Sequence, residues 1–201
     1  MLRQIIFIQG GGGKADYDLD ALLVDSLQDN LGKDYEIRYP LLSDDDSSPD
    51  FGRLTQIDKE VSSLNSPIIL IGHSLGASML LKYISEKEIK NDVIGVFLLA
   101  TPFWEGDEDW KQGLILKENF IESLPKSTPM FFYHSKDDNE IPFSHIYEYQ
   151  KRIKQASYRE IEKGGHQLNN DLSIVAKDIK DLLLFKIMPV ANNDYKQLGQ
   201  K

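Results

Sequence analysis

Short apolar runs rich in β-branched residues alternate with longer stretches of helical period along nearly all of this 201-residue chain, and that alternation leaves few architectures open. Residues 2–9 (LRQIIFIQ) read as a strand that ends at four glycines, Gly10 to Gly13. Residues 17–31 carry Leu19, Leu22, Leu23 and Leu27 at helical spacing, with Gly32 as the stop. Further strands are expected over 35–39, 67–72, 93–100, 130–134 and 158–162. Further helices are expected over 54–64, 74–85, 114–124, 143–155 and 172–185. The runs 67–72 (PIILIG) and 93–100 (VIGVFLLA) are apolar on both faces, so their sheet must be covered on both sides. The expected fold class is α/β: a doubly wound, mainly parallel sheet of about six strands with helices on both faces. Residues 1–187 are expected to form one domain. The polar stretch 188–201 lacks periodicity and reads as a tail that frays or is disordered.

Composition removes several classes of function. A formal charge of -9 weighs against nucleic acid or an anionic membrane as partner, because both are polyanions. There are no cysteines, which excludes disulfides, thiolate catalysis and cysteine metal sites. No run approaches the ~20 apolar residues that span a bilayer, and the short apolar start lacks the length of a secretory segment. A cytoplasmic location is therefore the expectation.

The decisive segment is Gly72-His73-Ser74-Leu75-Gly76, which follows PIILIG and opens a helix. The pattern G-x-S-x-G gains meaning from that strand–turn–helix setting. A sharp turn forces the serine into strained backbone angles and lifts its hydroxyl above the sheet, and side chains two residues to either side would clash. The helix start offers free N–H groups, and that of Leu75 faces the place where an oxyanion would form. The plainer role for Ser74 is a helix N-cap.

A serine hydroxyl needs a base, and the chain has four histidines. His73 is expected to pack beside the elbow, His134 ends an apolar strand, and His145 falls in a helix at the surface. His166 lies in Lys163-Gly164-Gly165-His166-Gln167, a glycine loop after the last strand, and is the candidate base. The acid that orients it must come from Ser135-Lys136-Asp137-Asp138-Asn139-Glu140-Ile141-Pro142, after the strand MFFYH. Position alone leaves Asp137 and Asp138 open, one of them being a turn residue.

These segments together resemble the α/β-hydrolase superfamily, above all its small lidless members related to the retinoblastoma-binding serine hydrolases. The likeness covers residues 2–186 and rests on GHSLG, the Asp-x-x-Ile-Pro run and GGH. It implies that the acid stands four residues before the proline, which selects Asp138. It also implies a second oxyanion donor in the loop after the first strand, at Gly11, with Gly12 close behind. The histidine common before that glycine is Gln9 here.

The implied chemistry is hydrolysis of carboxylic esters, or related thioesters and amides, of small soluble substrates. Ser74, His166 and Asp138 act as the triad, with no metal or organic cofactor. A cofactor-free lyase or perhydrolase, or an interaction module with weak hydrolase activity, are the alternatives on the same fold. The connection 101–127 is too short for a cap domain. Phe103, Trp104 and Trp110 within it either line the pocket or pack the core, and with Gly12 and His73 they complete the candidate substrate contacts. Asp107 and Asp109 read as solvated loop charges. A monomer or homodimer is expected.

Overall fold

The computed structural model describes residues 2–11, 13–64 and 67–187. Six strands form one sheet: β1 (Arg3–Ile8), β2 (Tyr35–Arg38), β3 (Ile68–His73), β4 (Val93–Leu99), β5 (Met130–Ser135) and β6 (Ser157–Ile161). Their order is β2-β1-β3-β4-β5-β6, and every neighbouring pair is parallel. The helices are α1 (Lys14–Leu31), α2 (Arg53–Ser62), α3 (Ser74–Glu86), the single turn α4 (Phe120–Ser123), α5 (Ser144–Arg152) and α6 (Ser173–Ile187).

Strand periodicity divides the core in two. On β1, Ile5 and Phe7 face one side, while Ile6 and Ile8 face the other, and all four are fully buried. The first face meets Leu23 and Leu27 of α1 and Val175 and Ile179 of α6. The second meets Ile57 and Val61 of α2, Leu80 and Ile84 of α3, and Ile146 and Tyr149 of α5. A polar clasp fixes α6 to the sheet. The Tyr133 hydroxyl donates to Asp178 at 2.7 Å, and Arg159 closes on the same carboxylate with two bonds of 3.0 Å. Burial, and next the neighbouring Asp178 charge, push the Tyr133 hydroxyl well above its ordinary pKa, so it stays a donor.

The doubly wound expectation holds, with three local differences, the simplest being that α5 ends at Arg152 and not at residue 155. Helix α1 starts three residues early because the Asp16 carboxylate reaches back to the Gly13 N–H at 3.2 Å, satisfying a first-turn donor. The helix expected over 114–124 is instead a 3₁₀ turn (Asp109–Leu114), an extended stretch from Ile115, and α4. The buried Lys82 ammonium takes the Ile115 carbonyl at 2.6 Å, an acceptor that a helix would have used internally. Among the described residues no helix is long and apolar enough to cross a membrane. The expectations for Gly12 and for the tail 188–201 lie outside the described residues.

Helix α3 rests on β1 with almost nothing between them. A Cβ at Gly76 would stand 2.1 Å from the Gln9 carbonyl oxygen and 2.5 Å from that of Ile8. At Gly72 it would stand 2.7 Å from Ala77 Cα. Both obstacles are backbone and cannot swing aside. Gly76→Ala is therefore expected to destabilise the fold by about 1–3 kcal/mol, as overpacking does. In a domain of this size that lowers the melting temperature by roughly 2–12 °C. Thermal unfolding followed by circular dichroism checks it, and an unchanged melting temperature would contradict this packing.

Candidate active site

All the singled-out chemistry collects at the carboxyl ends of the parallel strands. Ser74 follows β3 directly and has φ 50°, the left-handed region that only glycine enters without cost. Leu75 comes next, in the first turn of α3, where N–H groups have no intrahelical acceptor. The oxyanion candidate Gly11 lies after β1. Its carbonyl is held by Arg53 Nη2 at 2.7 Å and Gln9 Nε2 at 3.1 Å. Gln9 also accepts the Leu42 N–H at 3.0 Å, so the glutamine ties this loop to the segment after β2.

His166 and Asp138, the candidate base and acid, are hydrogen-bonded to each other. His166 Nδ1 donates to Asp138 Oδ2 at 2.9 Å, which leaves the Nε2 lone pair of the neutral ring free to accept a proton. The Asp138 side chain has no solvent exposure. Its Oδ1 accepts the N–H groups of Glu140 and Ile141, both at 2.9 Å. His134 Nε2 faces the Ile141 carbonyl at 3.0 Å and Asp138 Oδ2 at 3.3 Å, so that nitrogen carries its proton and shares it. Burial alone would raise the Asp138 pKa. The hydrogen bonds from His134, His166 and the Ile141 backbone outweigh it and hold the carboxyl far below the usual range.

Asp137 is more than a turn residue. Its Oδ1 accepts the Ser135 hydroxyl and the N–H groups of Gly164 and Gly165, the latter two at 2.8 Å. The Ser135 bond leads these in holding the carboxyl near pKa 2. It thereby fastens the loop after β5 to the loop that carries His166. Beyond His166 the chain makes a left-handed turn through Leu168, Asn169 and Asn170, all at φ near 50°. The Asn169 N–H to Gly164 carbonyl bond of 2.7 Å closes it.

The remaining candidates divide. His73 is 1% exposed, with Nε2 on the His166 carbonyl at 3.1 Å, so it stands behind the site and not at a substrate-facing wall. The helical His145 is half-buried, where the surface was expected, because Nδ1 accepts the Phe103 N–H at 2.9 Å. Phe103 and Trp104 are half-buried and pack against the core, and Trp104 donates to the Ser78 hydroxyl at 2.9 Å. With Ser78, Leu116 and Tyr149 they line a cavity of about 210 Å³. Ser78 is one helical turn from Ser74. Trp110 is 50% exposed and stacks edge-on against Trp104. Asp107 pairs with Lys111. A larger cavity of about 460 Å³ lies at the opposite end of the sheet, by Asn91, Val93 and Thr128, remote from the serine.

A parallel sheet carrying a strained serine at a strand-to-helix turn, with a histidine–carboxylate pair on the following strand ends, defines the α/β-hydrolase class. Residues 35–173 match the serine hydrolase family, and the chain belongs to that family. The Bacillus subtilis (strain 168) protein YdeN is 26% identical over 114 residues. That stretch covers 54% of this chain and 58% of YdeN, less than two thirds of its length. The YdeN crystal structure superposes with a TM-score of 0.61 at 18% identity, covering 92% of this chain and all of that one. Est1E from Butyrivibrio proteoclasticus gives 0.67 at 15% identity, covering 92% and 88% of the two chains.

The same geometry fixes the direction of the His166 titration. Burial lowers its pKa, but the hydrogen bond and charge of Asp138, then the charges of Glu140 and Asp20, outweigh it and raise the pKa above the ordinary 6.5. Glu140 Oε2 lies 3.7 Å from Nε2 and is 65% exposed, so its part is screened by salt. The imidazole followed by NMR should titrate above pH 6.5. Glu140→Gln should lower the midpoint, less so at high salt. A midpoint unmoved by Glu140→Gln at low salt would show that this carboxylate does not act on the ring.

Proposed function

We propose that this chain hydrolyses carboxylic esters of small substrates through an acyl-enzyme intermediate. The observation that carries the reading is the His166–Asp138 hydrogen bond of 2.9 Å on the strand ends that also bear the left-handed Ser74. Ser74 Oγ attacks the ester carbonyl carbon as its proton passes to His166 Nε2. The resulting oxyanion is received by the N–H groups of Leu75 and Gly11, each such donor lowering the barrier by ~3–4 kcal/mol. Collapse breaks the bond to the alcohol, which leaves with the proton returned by His166. Water then repeats the sequence, its proton going to His166, and the acid departs as Ser74 regains its hydrogen. Asp138 holds the tautomer and steadies the imidazolium throughout.

The acidic limb of activity follows from the His166 titration. The base works only when neutral, and its pKa is raised, so activity falls with acid beginning above pH 6.5. Labelling by a fluorophosphonate is the direct test, since it needs a reactive serine and no guess about substrate. Wild type should be labelled and should cleave p-nitrophenyl acetate. Ser74→Ala should lose both while its melting temperature stays put. Asp138→Asn should lose roughly 10⁴-fold in turnover, because the amide presents the wrong tautomer. A wild-type chain inert to the label sinks the hydrolase reading and leaves the interaction-module alternative. Labelling without ester turnover favours a lyase or perhydrolase.

Substrate size follows from the walls. The connection between β4 and β5 holds no cap, and beside Ser78 the apolar wall amounts to a cavity of about 210 Å³. Each buried methylene contributes ~0.8 kcal/mol only where a wall receives it. Across p-nitrophenyl esters of increasing chain length, short acyl groups should match or exceed long ones in kcat/KM. A steady rise beyond about eight carbons, with monomeric substrate, would instead reveal an extended acyl tunnel. Trp104→Ala should then flatten it.

A further inference from the structure

One buried carboxylate outside the triad contacts the chain neighbours of Gly11, Ser74 and His166. Asp20 projects from α1 and is 1% exposed. Its Oδ2 accepts the Gly10 N–H at 2.7 Å, in the loop that bears Gly11. Its Oδ1 accepts Gln167 Nε2 at 3.2 Å, the residue that follows His166. The same oxygen lies 2.8 Å from Nδ1 of His73, the residue before Ser74. That last contact is an ion pair whenever His73 carries a proton on both nitrogens. The other nitrogen of His73 faces the His166 carbonyl at 3.1 Å, and because a carbonyl only accepts, that nitrogen carries a proton. The two imidazole rings stand 4.7 Å apart.

The packing leaves this carboxylate little slack. A Cβ on Gly10 would touch His73 Nδ1 and Ser74 Cβ, each at 3.3 Å, and Asp20 Oδ2 at 3.4 Å. Three chain segments far apart in sequence therefore converge on one side chain: the loop after β1, the elbow after β3 and the base loop after β6. A charge removed from water this fully is tolerated only where several donors meet it, and here each donor belongs to a segment the reaction uses.

We propose that Asp20 is a positioning residue for ester hydrolysis, binding the oxyanion loop through Gly10, the elbow through His73 and the base loop through Gln167. It touches no reacting atom, and its role is to fix the spacing of nucleophile, oxyanion donors and base. The inference rests on the serine hydrolase reading.

The test compares wild type, Asp20→Asn and Gln167→Leu, with rates expressed per fluorophosphonate-titrated site and melting temperature recorded alongside. Asparagine can still accept from Gly10 but brings no charge to His73. With p-nitrophenyl acetate, Asp20→Asn should lose about 10- to 100-fold in kcat with KM within about twofold, the signature of misplaced groups and not of weakened binding. Gln167→Leu keeps the carboxylate and cuts only the base-loop arm, and should lose about threefold or more in kcat, again with little change in KM. A residue that merely supports packing would lower the melting temperature and leave kcat per site intact. Retention of wild-type kcat per site in Asp20→Asn overturns the proposal, as does a change confined to KM. If Asp20→Asn fails to fold, Gln167→Leu decides by the same criterion. A wild-type chain that neither labels nor turns over ester defeats the hydrolase reading itself, an outcome distinct from an active wild type with a fully active Asp20→Asn.

Discussion

The contact on which the site depends is backbone against backbone. Gly76 lets α3 settle onto the carbonyls of Ile8 and Gln9, where any Cβ would collide at 2.1–2.5 Å. That approach fixes the start of α3 relative to the loop after β1 without an intervening side chain that could change rotamer. Ser74 is the residue in which the chain turns from β3 into the helix, and it takes up the strain as a left-handed φ. Such a conformation costs of order 1–3 kcal/mol and persists only where its surroundings over-determine it. The surroundings here are α3 itself, buried from Gly76 through Ser85, clamped between β1 and the flanking helices.

Charge is handled by the same economy of position. Two buried carboxylates, Asp138 and Asp20, sit on either side of the paired rings of His166 and His73. Asp138 has all its acceptor directions filled by two backbone N–H groups and two imidazoles. Saturation of this kind keeps an ion stable without solvent and gives each attached ring one orientation. Asp137, exposed and adjacent, does different work by joining two loops through three donors to one oxygen. Adjacent aspartates of identical chemistry thus take unlike tasks because the turn after β5 points one inward and the other across.

Much of this was readable from the chain. The continuous apolar runs IIFI and PIILIG dictate a sheet covered on both faces, as it is. The elbow, the glycine loop and the Asp-x-x-Ile-Pro run mark three strand ends, and His166 and Asp138 are hydrogen-bonded there. What escaped were side chains whose meaning depends on distant partners. Asp20 sits on the buried face of an otherwise ordinary helix, and an acidic residue at a leucine-spaced position was the one available signal. Lys82 unmade the helix expected over 114–124 from 33 residues away. Asp137 read as a turn residue because its partners, Gly164 and Gly165, lie in another loop. His145 read as surface because its partner is the backbone of Phe103. Local pattern reports local structure, while long-range hydrogen bonds leave no periodic trace.

The strand order has a consequence for how the molecule comes into being. β6 is the edge strand and follows all the others in sequence, and the loop that carries the imidazole comes after it. Parallel pairings join residues far apart along the chain and form slowly. A nascent chain emerging amino end first can assemble β1 to β5 and the elbow while β5 still presents an open edge, the kind of surface that recruits stray strands. Docking of β6 closes that edge and, in the same movement, brings His166 to its carboxylate. The His166–Asp138 pair thus forms only once the last strand has joined the sheet.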